Sequence, residues 1–320
     1  MVDESSSARR VAVGTYAYPA GRLQPKETIR DLMERAEFTE RTACINCEGS
    51  RLTELSRGRF NEGVLGDLIR NDPWGEHPGP FLQDSPWSFV RCDDCAQAFH
   101  RYILAPEWNE RRFSKWMTRE AELAFVGETT HAQNFAAATA MVAHVLSIDK
   151  LTQGKRLLDF GCGYGHFLSA CALFGFDAVG VDRSSARREH GVFPILAEID
   201  EVSGVFDAVT LFEVLEHLDE PRPSLRRLAG LLKPGGILVL ETPDCEGVTG
   251  IESRTSYLKI HPLEHINAFT ARTLQQFAEG LGFERIRRPV SHVTTSLERV
   301  ARNLAKRLRR DSTQQYFRKL

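Results

Sequence analysis

A chain of 320 residues has room for one large domain and a smaller companion, and it can bury a sizeable core. A hydrophobic fraction of 42%, a charged fraction of 26% and a net charge of -2 describe a soluble globular protein and argue against a nucleic-acid backbone as its main partner, which would favour a basic excess. No apolar run reaches ~18 residues, so no membrane span is expected; the polar start MVDESSSARR lacks the apolar stretch of a signal peptide, and the expected location is cytoplasmic.

Residues 1–40 read as an arm, with a short helix predicted over Lys26–Ala36. Residues 41–105 hold two CxxC pairs, Cys44/Cys47 and Cys92/Cys95, and cytoplasmic cysteines stay reduced. Each CxxC places two thiolates on one turn. Two such turns complete a tetrahedral shell with no position left for water, so Cys44, Cys47, Cys92 and Cys95 are expected to hold a structural Zn²⁺ in a zinc ribbon. The gap between the pairs exceeds the ~15–20 residues of ordinary ribbons, and the stretch NDPWGEHPGP marks residues 57–86 as an inserted loop. His77 and His100 are competing ligands; four unrelated reduced cysteines, or a redox CxxC, are the alternatives.

Residues 106–150 form a helical linker that could act as a lid, with Phe135, Met141, Val142 and Val145 in an approximate helical stripe. From 151 to 298 the pattern alternates. KRLLDF, DAVGVD, FDAVTLF and GGILVLET read as strands, with FERIRR and VSHVTTS as candidate closing strands. GHFLSACALFG, PSLRRLAGLLK and TARTLQQFAEGLGF read as helices. This alternation predicts a parallel sheet covered on both faces. Residues 299–320 read as a basic tail, and Leu297–Leu308 as an amphipathic helix with a solvated basic face or an anionic-surface docking face.

LLDFGCGYGHF runs from a strand directly into a helix. Gly161, Gly163 and Gly165 permit positive φ and close approach of a ligand to the backbone, and the free N–H groups of the next helix suit a carboxylate or phosphate. A tight connection with no ligand would look similar. Three features favour a ligand: Asp159 at the strand end, Asp182 at the end of the next strand, where a carboxylate can accept both ribose hydroxyls, and GxGxG spacing in place of the GxGxxG of pyrophosphate binders.

Taken in order, LLDFGCGYGHFL, AVGVDRS, FDAVTLFEVLEHLDEP, LLKPGGILVLETP and EHINAFTARTL resemble the class I methyltransferases that use S-adenosylmethionine (AdoMet), over about residues 130–300. The resemblance implies an α/β fold with a Rossmann-like, mainly parallel seven-stranded sheet. It implies that Asp159, Gly161 and Gly163 line the methionine end of AdoMet and that Asp182 takes the ribose, with Cys162 and Arg183 also binding the cofactor. Ala197 and Glu198 then lie at adenine, and Phe212 and Glu213 beside the cofactor. A preceding zinc ribbon, with CINC, RCDDCAQAF and EHINAF, is similar to bacterial sugar C-methyltransferases and related small-molecule enzymes. From these the chain departs by its long insertion and by a short C-terminal region.

A methyl donor needs an aligned nucleophile and usually a base. The resemblance points to His217 in LEH and to Glu264 and His265; His261 and Tyr257 lie on the same segment. Each could instead be structural. Glu213 and Glu216 are three apart, but no dense acidic cluster suggests a catalytic metal. The leading expectation is C- or O-methylation of a small molecule, such as a sugar or secondary metabolite, without added Mg²⁺. An RNA or protein methyltransferase that reads its substrate with the ribbon, and a non-catalytic AdoMet-fold module, are the alternatives.

Overall fold

Side-chain alternation along the apolar strands decides the architecture. A computed structural model describes residues 34–127, 131–146, 155–287, 301, 304–305 and 312–320. In chain order its elements are β1 (Phe38–Glu40), β2 (Leu52–Arg59), α1 (Gly63–Asn71), β3 (Pro86–Cys92), β4 (Ala98–His100), β5 (Tyr102–Leu104), α2 (Pro106–Arg111), α3 (Arg119–Val126) and α4 (His131–Leu146). There follow β6 (Arg156–Phe160), α5 (His166–Leu173), β7 (Asp177–Val181), α6 (Ser185–Glu189), β8 (Ile195–Leu196), β9 (Phe206–Phe212), α7 (Pro221–Leu231), β10 (Leu232–Glu241), α8 (Arg254–Lys259), β11 (Asn267–Ala268), α9 (Ala271–Glu279), β12 (Phe283–Ile286) and β13 (Gln315–Lys319). Most of Lys26–Ala36, all of VSHVTTS, and Leu297–Leu308 apart from Ala301, Leu304 and Ala305 lie outside the described residues.

The main sheet has seven strands in the order β12-β13-β10-β9-β6-β7-β8. The pairs β10–β9, β9–β6, β6–β7 and β7–β8 are parallel, and β13 is antiparallel to both neighbours. Successive side chains on a strand point to opposite faces. Accordingly Leu158, Val209, Leu238, Leu240 and Phe317 enter one buried cluster with α7 and α9, while Leu157, Ala208, Ile237, Val239 and Tyr316 enter another with α4 and α5. Helix α9 follows the same logic at period 3.6. Leu274, Phe277 and Ala278 are buried, and the Thr270 hydroxyl caps the start by accepting from the Thr273 N–H.

Gln315–Lys319, at the end of the segment read from the sequence as a basic tail, is thus an interior strand. The cysteine-bearing region forms a second sheet, β11-β4-β3-β2, and its edge strand β11 comes from the EHINAF segment. Arg41 ties the two regions together. Its guanidinium donates to the carbonyls of His100 and Ile266 and to Asn267 Oδ1. The inserted segment 57–86 carries α1 and contributes Phe60, Leu65, Ile69, Phe81 and Leu82 to a third cluster, shared with Tyr257, Ile260 and Leu263. No helix among the described residues is long and apolar enough to cross a membrane.

Candidate active site and cysteine cluster

The turn after β6 is built on two glycines with different reasons to be there. Gly161 has φ +75°, and a Cβ on it would sit 2.5 Å from Val214 Cγ2. Gly163 has φ +57° and no atom within 4 Å of its would-be Cβ. The first glycine is required by packing against the loop after β9, whereas the second leaves space over the turn. Gly161→Ala should therefore lose about 2–5 kcal/mol of stability, combining left-handed strain with overpacking. Gly163→Ala should lose only about 1–2 kcal/mol yet place a methyl where a ligand would lie. Denaturant melts of the two variants check this, and equal destabilisation would contradict it.

A cavity of about 640 Å³ opens over the turn. Asp159, Gly161, Cys162, Gly163, Asp182, Arg183, Ala197, Glu198, Phe212, Glu213 and His217 all line it. Asp182 is poised by its neighbours: Oδ2 accepts from the Gly163 N–H at 2.9 Å and Oδ1 from the Ser184 N–H at 2.9 Å. Asp159 Oδ1 accepts from the Thr210 hydroxyl at 2.6 Å. Burial, with the charge of Asp182 adding to it, still pushes the Asp159 carboxyl up to about 7. A cationic ligand group beside Asp159 would relieve that penalty. Cys162 contributes a thiol raised far above its ordinary range by burial, which disfavours the reactive thiolate.

The far side of the cavity is roofed by α2, a π-type turn at Arg112–Trp116, and α3. This roof is pinned across the ligand space by Glu110–Arg183 at 2.9 Å, Glu122–Arg187 at 3.0 Å, Tyr164 to Glu122 at 3.0 Å, and Asn109 to Asp219 at 3.1 Å. Sequence reading placed a lid in this region but missed Asn109, Arg112 and Asp219 as lining groups. They look like ordinary polar helix and loop residues until the fold brings 109–112 against the loop after β9.

That loop carries His217, a candidate base from the sequence. His217 Nδ1–H donates to the Glu264 carbonyl at 3.0 Å, which leaves Nε2 as the unprotonated acceptor. Burial, followed by the nearby His265 and Arg112, holds its pKa well below the ordinary histidine value, so the ring is neutral. His265 packs edge-on against it at 4.7 Å. Neither Glu264 nor His265 is among the cavity-lining residues; Glu264 reaches the site through its main-chain oxygen. His261 and Tyr257 point elsewhere. The His261 Nδ1 accepts from the Leu263 N–H, its Nε2–H donates to the Tyr257 oxygen, and the Tyr257 hydroxyl donates to Asp72.

Glu213, at φ +54°, is pushed up to about 7 by burial and by Glu241. Glu216 is 1% exposed, neither of its carboxyl oxygens has a hydrogen-bond partner, and burial and Glu213 raise it well above the ordinary carboxylate range. Ligand atoms of Glu216, His217 and His265 lie within 4.8 Å of one another, a grouping that residue spacing alone did not reveal.

The four cysteines converge although the pairs are far apart in sequence. Cys44 Sγ lies 3.5 Å from Cys95 Sγ and Cys47 Sγ 3.5 Å from Cys92 Sγ, and all four sulfurs fall within 4.8 Å. A tetrahedral ion with ~2.3 Å bonds to sulfur needs S···S of ~3.8 Å, so the donor set fits zinc. His77 and His100 are not in the cluster; the His100 Nε2–H donates to the Ile260 carbonyl at 2.8 Å.

Residues 131–287 match the model of a family described as a methyltransferase domain. The chain is 35% identical over 104 residues to the ubiquinone biosynthesis O-methyltransferase of Bordetella avium, covering 28% of this chain and 43% of that protein. It is 38% identical over 104 residues to the corresponding protein of a Caulobacter species, covering 28% and 41%. It thus spans less than half the length of these curated relatives. Among solved structures it is similar to a sugar N-methyltransferase from Streptoalloteichus, with 27% identity, a TM-score of 0.33, and coverage of 38% of this chain and 54% of that one.

Proposed function

We propose, from the membership of residues 131–287 in a methyltransferase domain family with the class I fold, that the chain transfers a methyl group from AdoMet to a small-molecule acceptor. The single observation that carries this reading is the cavity at the carboxyl ends of β6, β7 and β9, which combines a ligand-ready glycine turn, a poised Asp182 and a tautomer-fixed His217. Bound there, AdoMet would supply an electrophilic methyl on sulfonium. Gly163 permits close backbone approach, Asp182 holds the ribose hydroxyls, Asp159 faces the ammonium, and Ala197 and Glu198 border the base. His217 Nε2 accepts the acceptor's proton as the new bond forms, which suits an oxygen or acidic carbon nucleophile. Cys44, Cys47, Cys92 and Cys95 hold a structural Zn²⁺ that braces the loops around the acceptor.

Calorimetry with S-adenosylhomocysteine (AdoHcy) tests this reading, and absence of binding would remove it. The pH profile adds a sharper check. Because the Asp159 carboxyl is raised to about 7 in the ligand-free protein, it must lose a proton to pair with the ammonium. Affinity should therefore rise by up to about tenfold per pH unit below 7 and level off above. Asp159→Asn should bind more weakly and flatten the profile; a flat wild-type profile would contradict the assignment. Turnover is expected without added Mg²⁺; dependence on Mg²⁺ would instead point to Glu216, His217 and His265 as a cation site.

A further inference from the structure

Arg112 is 2% exposed, yet it lines the cavity. A guanidinium carries five N–H donors and no acceptor, and here few are used. Nε donates to Asn109 Oδ1 at 3.0 Å, Nη1 lies 3.7 Å from the Met117 sulfur, and the guanidinium stacks on Phe113 at 4.1 Å. Among the described residues no carboxylate lies within ion-pair distance of it. Asp219 and Glu264 act on it only through longer-range charge, and Asp219 is itself engaged by Asn109. Arg41 is different, donating four hydrogen bonds to protein oxygens. Arg187 is different too, paired with Glu122 at 3.0 Å.

A buried cation is costly unless it is paired, and Arg112 opens the π-type turn, a distortion that recurs at functional sites. Its position is also informative. It shares the stretch of wall formed by Asn109, His217 and Asp219, and its charge is close enough to act on His217. With His217 as the base, this is the acceptor side of the cavity.

We infer that Arg112 is the anion-binding residue of the acceptor site, and that the methyl acceptor carries a carboxylate or phosphate that meets its fork of donors. The inference rests on the methyltransferase reading above. Planar guanidinium matches either oxyanion in a two-pronged contact, which places as well as binds the acceptor. The same chemistry could come from the α-carboxylate of the cofactor, and the test separates the two sources.

Inorganic phosphate is titrated by calorimetry into wild type, Arg112→Gln and Arg112→Met, each with and without saturating AdoHcy, and the Kd for AdoHcy is measured alongside. Wild type loaded with AdoHcy should bind phosphate saturably in the millimolar range. Both variants should bind phosphate at least about tenfold more weakly, with AdoHcy affinity within about twofold of wild type and a thermal midpoint no lower than wild type, because a poorly compensated buried charge has been removed. Absence of phosphate binding by wild type, or equal binding by the variants, overturns the inference. A tenfold loss of AdoHcy affinity assigns Arg112 to the cofactor carboxylate and also overturns it. Failure of both variants to fold makes the guanidinium architectural, with the same result. Wild type that binds phosphate but not AdoHcy would refute the methyltransferase reading alone.

Discussion

His217→Gln should lower kcat by about 10²–10⁴-fold, the usual contribution of a positioned acid or base, while AdoHcy affinity stays within about twofold. The expectation follows from the way the ring is held. Its Nδ1–H is committed to the Glu264 carbonyl, so the lone pair on Nε2 is fixed without any titration. Its turn, Leu215–His217, is fastened from below: the Asn267 side-chain amide donates to the carbonyls of Leu215 at 2.8 Å and Leu218 at 2.7 Å. Glutamine keeps the volume and one polar tip but cannot accept and carry the proton. Glu264→Gln provides the contrast. If Glu264 acts through its main chain, that variant should keep its kcat within about tenfold of wild type. Steady-state kinetics on the two variants decide the assignment. A His217→Gln enzyme with wild-type kcat would end the case for this base, and a Glu264→Gln loss equal to that of His217→Gln would return the carboxylate to the chemistry.

Removing the metal should be as damaging, by another route. The purified chain is expected to hold one zinc, and Cys92→Ser should abolish that stoichiometry. Structural zinc sites supply about 10–16 kcal/mol in small peptides. Even a fraction of that in a chain of this size would lower the thermal midpoint by about 10 °C or more. Activity should fall further than AdoHcy binding does. The cysteine sheet includes β11, whose Asn267 fastens the His217 turn, and the carbonyl of Asn46, between Cys44 and Cys47, accepts from Arg222 on α7. Loosening the cluster therefore loosens the base before it disturbs the glycine turn. Elemental analysis, melting curves and kinetics before and after a strong thiol-competing chelator measure each step. A metal-free preparation with full activity would show that the four cysteines do something else.

The parts legible from the amino-acid string are those with local signals. Leu157–Leu168 announces a strand, a turn and a helix because apolar spacing and glycine placement sit within one window. The doubled CxxC was equally plain, and the fold closes it across a long insertion. Other parts have no local signal. Strand β11 is two residues long and exists only because β4 offers an edge to Asn267 and Ala268. Strand β13 is short and ends in Arg318 and Lys319, so its charge suggested a tail; only pairing with Ile237–Leu240 and with β12 gives it meaning. Arg112 sits in an arginine pair that reads as helix surface, until the π-type turn rotates it inward. Glu264 was singled out for its carboxylate, whereas its contact with His217 uses an atom that every residue has.

Strand β13 also imposes a timetable. β12 joins β10, and through it the rest of the sheet, only by way of Gln315–Lys319. On a ribosome moving at about 5–20 residues per second, the apolar edge Ile237–Leu240 emerges several seconds before the strand that will cover it. During that interval the nascent sheet presents unpaired backbone to any neighbouring chain. Slow translation between the two strands should then favour aggregation over assembly, although no residue lining the cavity is involved.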